Sequence, residues 1–301
     1  MGGYSGTAGR AGQVLVTVGE LQDRLASGQR TVLLDVRWKL GDPHGREQYL
    51  AGHLPGAVYV DLESQLAAPA SPALGRHPLP DPAAFEQAAR GWGVSDGDVV
   101  VAYDAVGGLS AARLWWLLRD GGFTRCYLLD GGLGAWQAAG LPLEAGDERP
   151  APGSVRLVPG QLPVLELAGV AGFARTGLLL DARAPERYSG RAEPVDPRAG
   201  HIPGAVSAPT SGNLQADGRF LPAAELADRF RSLGAAGAGS GQKVAVYCGS
   251  GITASHEIAA LAQAGIEAAL YPGSWSQWAG QPGLPAATGD QPGGGRTGAG
   301  Q

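Results

Sequence analysis

The sequence predicts an α/β protein made of two tandem, similarly folded halves, each a mainly parallel sheet with helices on both faces. Three observations predict it: the length of 301 residues, a set of blocks that recurs in the same order, and short apolar runs alternating with helical stretches. A chain of this length holds two domains of ordinary size. Apolar residues make up 44% and charged residues 17%, enough to bury a core and unlike a disordered chain.

The recurrence comes first, because a repeat decides the architecture. Leu33-Leu34-Asp35-Val36-Arg37 returns as Leu179-Leu180-Asp181-Ala182-Arg183. Gly52-His53-Leu54-Pro55-Gly56-Ala57 returns as Gly200-His201-Ile202-Pro203-Gly204-Ala205. Val99-Val100-Val101-Ala102-Tyr103-Asp104 matches Lys243-Val244-Ala245-Val246-Tyr247-Cys248, which sets Asp104 opposite Cys248. Asp130-Gly131-Gly132, followed by Trp136, matches Pro272-Gly273-Ser274, followed by Trp278. Four blocks in one order with slowly drifting offsets indicate a duplication.

The elements follow in order. Thr17 and Glu20 form a capping box that opens a helix through about Leu25. Val32–Leu34 reads as a strand, and Asp81-Pro82 as an N-cap and first helical residue. Val99–Tyr103 is a second strand, Ala111–Arg119 a helix ended by Gly121-Gly122, and Cys126–Leu129 a third strand. The second copy repeats the pattern with Leu178–Leu180, a helix after Pro222, Val244–Tyr247, a helix over Ile252–Ala264, and Ala268–Tyr271. Alternating strands and helices imply a parallel sheet, and continuous apolar runs are what strands covered on both faces require. Between the copies, Glu144 to Gly153 is polar and carries two prolines, so it reads as part of a linker. The expected boundaries are halves at 14–146 and 166–285, a linker at 147–165, and flexible tails at 1–13 and 286–301.

Charge and cysteine content limit the functions. Lys and Arg total 23 against 28 for Asp and Glu, a net charge of −5. That argues against nucleic acid or anionic membranes as main partners, and is compatible with a small anionic substrate held by a local arginine cluster. No apolar run nears the roughly 18 residues of a spanning helix, and the stretch Met1–Gly6 carries no basic patch ahead of an apolar run. Two cysteines, Cys126 and Cys248, exclude a disulfide framework or a cysteine zinc site. A reducing, cytoplasmic setting with no metal or organic cofactor is expected.

The chemistry concentrates at Cys248. It ends an apolar strand, and Gly249-Ser250-Gly251 leads straight into a helix. Unpaired N–H groups and the positive helix end converge at such a junction, so an anion is favoured there and a sulfur is favoured as thiolate, the nucleophilic form. Glycines let the backbone N–H groups curl around the sulfur. A buried inert cysteine would not call for this sequence. Cys126, inside an apolar strand, is read as core.

The stretch Cys248-Gly249-Ser250-Gly251-Ile252-Thr253-Ala254 resembles the active-site loop of the 3-mercaptopyruvate sulfurtransferase branch of the rhodanese family. The paired His-Leu/Ile-Pro-Gly-Ala blocks, Tyr103-Asp104, Trp115-Trp116, Leu129-Asp130-Gly131-Gly132 and Gly273-Ser274-Trp275 resemble the same family, over about residues 14–285. The resemblance implies two tandem rhodanese-like domains, of which only the second is catalytic. It implies transfer of sulfane sulfur from 3-mercaptopyruvate through a Cys248 persulfide to a thiol or cyanide, with thioredoxin or a small thiol as acceptor. In thiosulfate-preferring members cationic residues follow the cysteine; the neutral Gly249-Ser250 pair suits a keto-acid thiol instead.

For the donor proton, the resemblance suggests a relay of Ser250, His53 and an acid, with Asp42 as the positional match. The competing reading makes His53 a turn residue, like its copy His201. Arg187 and Arg198 are expected on the donor carboxylate, where guanidinium pairing is strong. Gly249, Gly251, Ile252 and Thr253 line the substrate, Arg191 stays at the surface, and Arg37 and Arg183 form a shared structural ion pair. The segment Ala105–Ser110 looks shorter than in animal members, with Leu109 where an aromatic is common. Two other classes compete. A phosphatase loop would need an arginine where Ala254 stands, and a binding-only module would be expected to lose its cysteine, as the first half has. Within the sulfurtransferases, thiosulfate:cyanide transfer is the runner-up.

Overall fold

The computed structural model describes residues 13–237 and 239–294. The expected tails therefore lie outside the described residues over 1–12 and 295–301. The first half runs β1 (Leu15–Val16), α1 (Val18–Ala26), β2 (Thr31–Asp35), α2 (Gly45–Ala51), β3 (Val58–Tyr59), α3 (Leu62–Gln65), α4 (Pro82–Gly91), β4 (Val99–Tyr103), α5 (Ala111–Asp120), β5 (Cys126–Leu129) and α6 (Gly132–Ala138). The second runs α7 (Leu167–Thr176), β6 (Leu178–Asp181), α8 (Pro185–Tyr188), β7 (Val206–Ser207), a 3-10 turn at Thr210–Asn213, α9 (Ala223–Ser232), β8 (Val244–Tyr247), α10 (Ile252–Gln263), β9 (Ala269–Leu270) and α11 (Ser274–Ala279).

Both sheets are parallel, in strand order β1-β5-β4-β2-β3 and β7-β6-β8-β9. The repeat holds in the register: Leu33 pairs Val101 in one sheet, and Leu179 pairs Ala245 in the other. Local signals act where they were read. Thr17 and Glu20 cap α1 reciprocally, and the Asp81 carboxylate accepts the N–H groups of Ala83 and Ala84 ahead of Pro82. Each such cap contributes about 1 kcal/mol. Several short helices carried no apolar period and were not foreseen, among them α2, α3, α8 and α11.

One continuous apolar cluster joins the halves. Its centre is α5 packed on α10. Leu114, Trp116 and Leu118 on α5 and Ala254, Ala259 and Leu261 on α10 are all fully buried, since each helix has its own sheet on one side and the other helix on the opposite side.

The segment 147–165 is not a free linker. Gly153 and Val155 donate to the carbonyls of Arg90 and Val94, Val158 to Gly121, and the Asp120 carboxylate accepts Gly160 and Leu162. Val164 then bridges Leu270 in parallel, at the edge that β1 occupies in the first sheet. The expected tail from 286 also differs: Ala287 and His201 exchange backbone hydrogen bonds, and Gly204 donates to Pro292. Among the described residues no helix is long and apolar enough to cross a membrane.

Candidate active site

Cys248 sits at the carboxyl end of β8, 1% exposed, where the strand gives way to α10. Gly251 caps that helix with φ +85°, a left-handed conformation that turns its N–H onto the Cys248 sulfur at 3.1 Å. Only glycine fits there, because a Cβ would lie 2.6 Å from the Pro272 carbonyl. Ser274, also left-handed at φ +53°, accepts the Cys248 N–H through its hydroxyl at 3.1 Å. The N–H groups of Trp275 and Ser276 hold the carbonyls of Cys248 and Gly249. The loop is thereby fixed on both sides of the sulfur.

A cavity of about 290 Å³ opens onto Cys248. Gly249, Ser250, Ile252 and Thr253 line it, with Arg183, Arg187 and Thr210 from the same half and Trp38, Leu40 and Arg76 from the first; Gly251, expected beside them, is not in the lining. Arg187 donates to Glu193 at 2.7 Å and to Asp196 at 2.9 Å. Arg76 donates through Nη1 to Asp196. The Nη2 of Arg76 and the Nη1 of Arg187 both approach Gly249: a Cβ placed there would lie 2.9 and 3.3 Å from them. Arg183 is paired with Asp181 at 2.7 Å, as Arg37 is with Asp35, so the shared ion pair exists in both halves. Three guanidiniums thus pair with three carboxylates, Asp181, Glu193 and Asp196, so their formal charges cancel.

Ser250 is hydrogen-bonded to a residue other than those of the expected relay. The Ser250 hydroxyl lies 2.7 Å from Nδ1 of His77, and the Nε2 of His77 lies 3.2 Å from the Glu63 carboxylate. His77 is buried and Glu63 exposed, so hydroxyl, imidazole and carboxylate form a chain from the cavity to solvent. Burial holds His77 below the ordinary histidine range, against the opposing pull of Glu63. A neutral imidazole beside a hydroxyl can take up a proton at neutral pH.

His53 and Asp42 take no part. His53 is fully buried away from the cavity, bonds the Tyr49 carbonyl at 2.9 Å through Nδ1, and stacks on the Tyr49 ring. His201 does the same with Tyr188 in the second half. Both histidines brace a turn. Asp42 lies on an exposed loop, where the His44 N–H and Gln48 amide hold its carboxyl below the usual range.

Arg198 is also displaced from its expected role. Its guanidinium donates to the carbonyls of Ala279, Leu284, Trp278 and Gln281, and it does not line the cavity. Carbonyls from the end of α11 and the turn after it occupy the fork that a carboxylate would need. Arg191 is exposed, 3.4 Å from Asp290. Cys126 is fully buried, and burial pushes its thiol up, out of nucleophilic use.

Comparison with known proteins gives a consistent picture. A model of the rhodanese-like domain matches residues 17–139 and again 169–281. Two relatives carry names that are themselves provisional. A thiosulfate sulfurtransferase SseB of Mycobacterium tuberculosis is 43% identical over 92% of this chain and 98% of its own. A 3-mercaptopyruvate sulfurtransferase of Pseudomonas aeruginosa is 46% identical over the same shares. The crystal structure of SseA from Escherichia coli, a 3-mercaptopyruvate sulfotransferase of the rhodanese fold, superposes with a TM-score of 0.77 at 31% identity. That match covers 88% of this chain and 99% of the other.

Proposed function

Because the chain belongs to the rhodanese family of sulfurtransferases, we propose that it moves the sulfur of 3-mercaptopyruvate, through a persulfide on Cys248, to a thiol. The relatives' names divide between two donors at nearly equal identity, so the choice of donor rests on the cavity. The observation that carries it is the hydrogen-bonded chain from Ser250 through His77 to Glu63. A donor that arrives as a thiol and leaves as a ketone needs a proton moved; thiosulfate does not. The near-balance of guanidiniums and carboxylates also suits a monoanion better than a dianion.

The donor carboxylate docks on the free edges of Arg187 and Arg76 beside Gly249, Arg76 serving where Arg198 was expected. The Cys248 thiolate attacks the donor sulfur, whose proton passes to Ser250 and His77. A sulfur–sulfur bond forms, and the carbon–sulfur bond breaks with its electron pair going to the pyruvyl group. The resulting enolate recovers the proton at carbon and leaves as pyruvate. The persulfide anion rests against the Gly251 N–H. A thiolate then attacks the outer sulfur, carries it off as a new persulfide, and restores the Cys248 thiolate. A reducing, cytoplasmic setting with thioredoxin or a small thiol as acceptor belongs to the same proposal.

The experiment is a side-by-side measurement of both donors with cyanide and a thiol as acceptors. The expected outcome is a higher kcat/KM for mercaptopyruvate, with one added sulfur on the intact protein that disappears in Cys248→Ser and persists in Cys126→Ser. Thiosulfate as the better donor would install the runner-up. An adduct that survives in Cys248→Ser would end the persulfide assignment.

A further inference from the structure

The first half reaches the sulfur loop by a second route, which does not pass through the cavity. Arg113, on α5, is fully buried, and among the described residues no carboxylate pairs with it. Four backbone carbonyls satisfy its guanidinium. Nε donates to Leu66 at 3.2 Å, and Nη2 to His77 at 3.0 Å and Pro78 at 3.2 Å. Nη1 crosses to the second half and donates to Gly251 at 3.3 Å. Two of those carbonyls belong to the relay segment and one to the loop that carries Cys248.

A fully buried guanidinium without a counter-ion is expensive, and neutral carbonyls return only part of the lost hydration. Burial pushes Arg113 down to about 10, and the charge of Cys248 acts in the opposite direction. It is therefore cationic at neutral pH. The other charged or titratable groups near Cys248 are Arg76, Arg183 and Arg187 with their carboxylates, and His77 behind Ser250. Those arginines are already ion-paired, whereas Arg113 has no carboxylate of its own.

Resting on the roles given above to Cys248 and His77, we propose that Arg113 is a positioning residue for sulfur transfer. Its planar fork ties the relay segment of one half to the sulfur loop of the other, and its charge faces the sulfur anion from the closed side. The Ser250–His77 contact spans the two halves, so it survives only if both segments keep their relative place. A fork with fixed geometry does this; an ammonium on a flexible stem does not.

The test uses Arg113→Met and Arg113→Lys in the full chain. Three readouts are compared: kcat, the rate of Cys248 alkylation by iodoacetamide at pH 7, and the thiolate absorbance near 240 nm. The last two involve no donor, so an error in the donor assignment leaves them standing. For Arg113→Met, alkylation and thiolate absorbance should fall about tenfold, and kcat about a hundredfold through the misplaced relay. For Arg113→Lys, alkylation should stay within about threefold of wild type while kcat still falls about tenfold. A folded Arg113→Met protein with wild-type alkylation and kcat would overturn the proposal. Should Arg113→Met fail to fold, a wild-type kcat in Arg113→Lys overturns it equally.

Discussion

In the first half, the loop after β4 wraps the Asp104 carboxylate, which accepts the N–H groups of Val106, Gly108, Ser110 and Ala111 at 2.8–2.9 Å. In the second half, the loop after β8 wraps Cys248, whose sulfur accepts one N–H, from Gly251, at 3.1 Å. The turn after the strand thus gathers backbone N–H groups on a carboxyl group in one half and on a sulfur in the other. Asp104 accepts four N–H groups, whereas the Cys248 sulfur accepts one, which in the proposed reaction leaves room for a second sulfur atom. The loop is an anion cradle by construction, and the occupant decides whether it is structure or chemistry. The half with Asp104 keeps the N–H-rich turn and contributes Trp38, Arg76 and His77 to the neighbouring cleft.

The comparison is tested most severely at the histidines. His77→Gln should lower kcat by about two to three powers of ten. His53→Gln and His201→Gln, in the mirrored turns, should leave kcat within about threefold and lower the melting temperature instead. Because burial depresses His77, its neutral form persists below the unfolded-state value near 6.5. The wild-type rate should therefore hold down to about that pH and fall only on further acidification. The linked stability has the same sign: the unfolded chain takes up this proton first, so the contribution of neutral His77 is present above about 6.5 and declines below it. Equal kcat losses at His53 and His77 would break the division between bracing and relay histidines.

The next effect is on stability. Asp104→Ala orphans three buried N–H groups and the half-buried one of Val106, and should cost on the order of 3 kcal/mol in urea unfolding. Asp104→Asn, keeping one acceptor oxygen, should cost about half as much. A loss under about 0.5 kcal/mol for Asp104→Ala would mean that the first cradle has no need of its anion.

The arginines give the finest contrast. Arg187→Ala and Arg76→Ala each remove a charge-assisted contact of about 1.5–3 kcal/mol, so kcat/KM for mercaptopyruvate should fall about ten- to a hundredfold. Arg198→Ala should spare kcat/KM and lower the melting temperature, and exposed Arg191→Ala should change neither. Loss of kcat/KM in Arg198→Ala with none in Arg76→Ala would return the donor to the expected pair.

How far the sequence could be read follows from the same contrast. Strands, the repeat and Cys248 were legible because each is announced by residues adjacent in the chain: an apolar run, Gly-Ser-Gly, a helix start. The relay was not, because Glu63, His77 and Ser250 come from three segments that only tertiary packing brings together. His53 attracted the assignment by sitting in a conspicuous motif. Yet that motif recurs with His201, and a residue present in both copies belongs to what the copies share. The useful signal was asymmetry. Cys248 faces Asp104, and His77 lies in no repeated block. Arg198 misled for another reason, since nothing local says that the end of α11 and the turn after it will offer four carbonyls to its side chain.

The strap from Gly153 to Val164 bears on how such a molecule could ever be divided. A gene split ahead of the strap would leave a second product without the wall that carries Arg76 and His77. A split after it would strip the second sheet of its edge at Leu270 as well. With both copies supplying side chains to one cleft, neither half taken alone holds the full set.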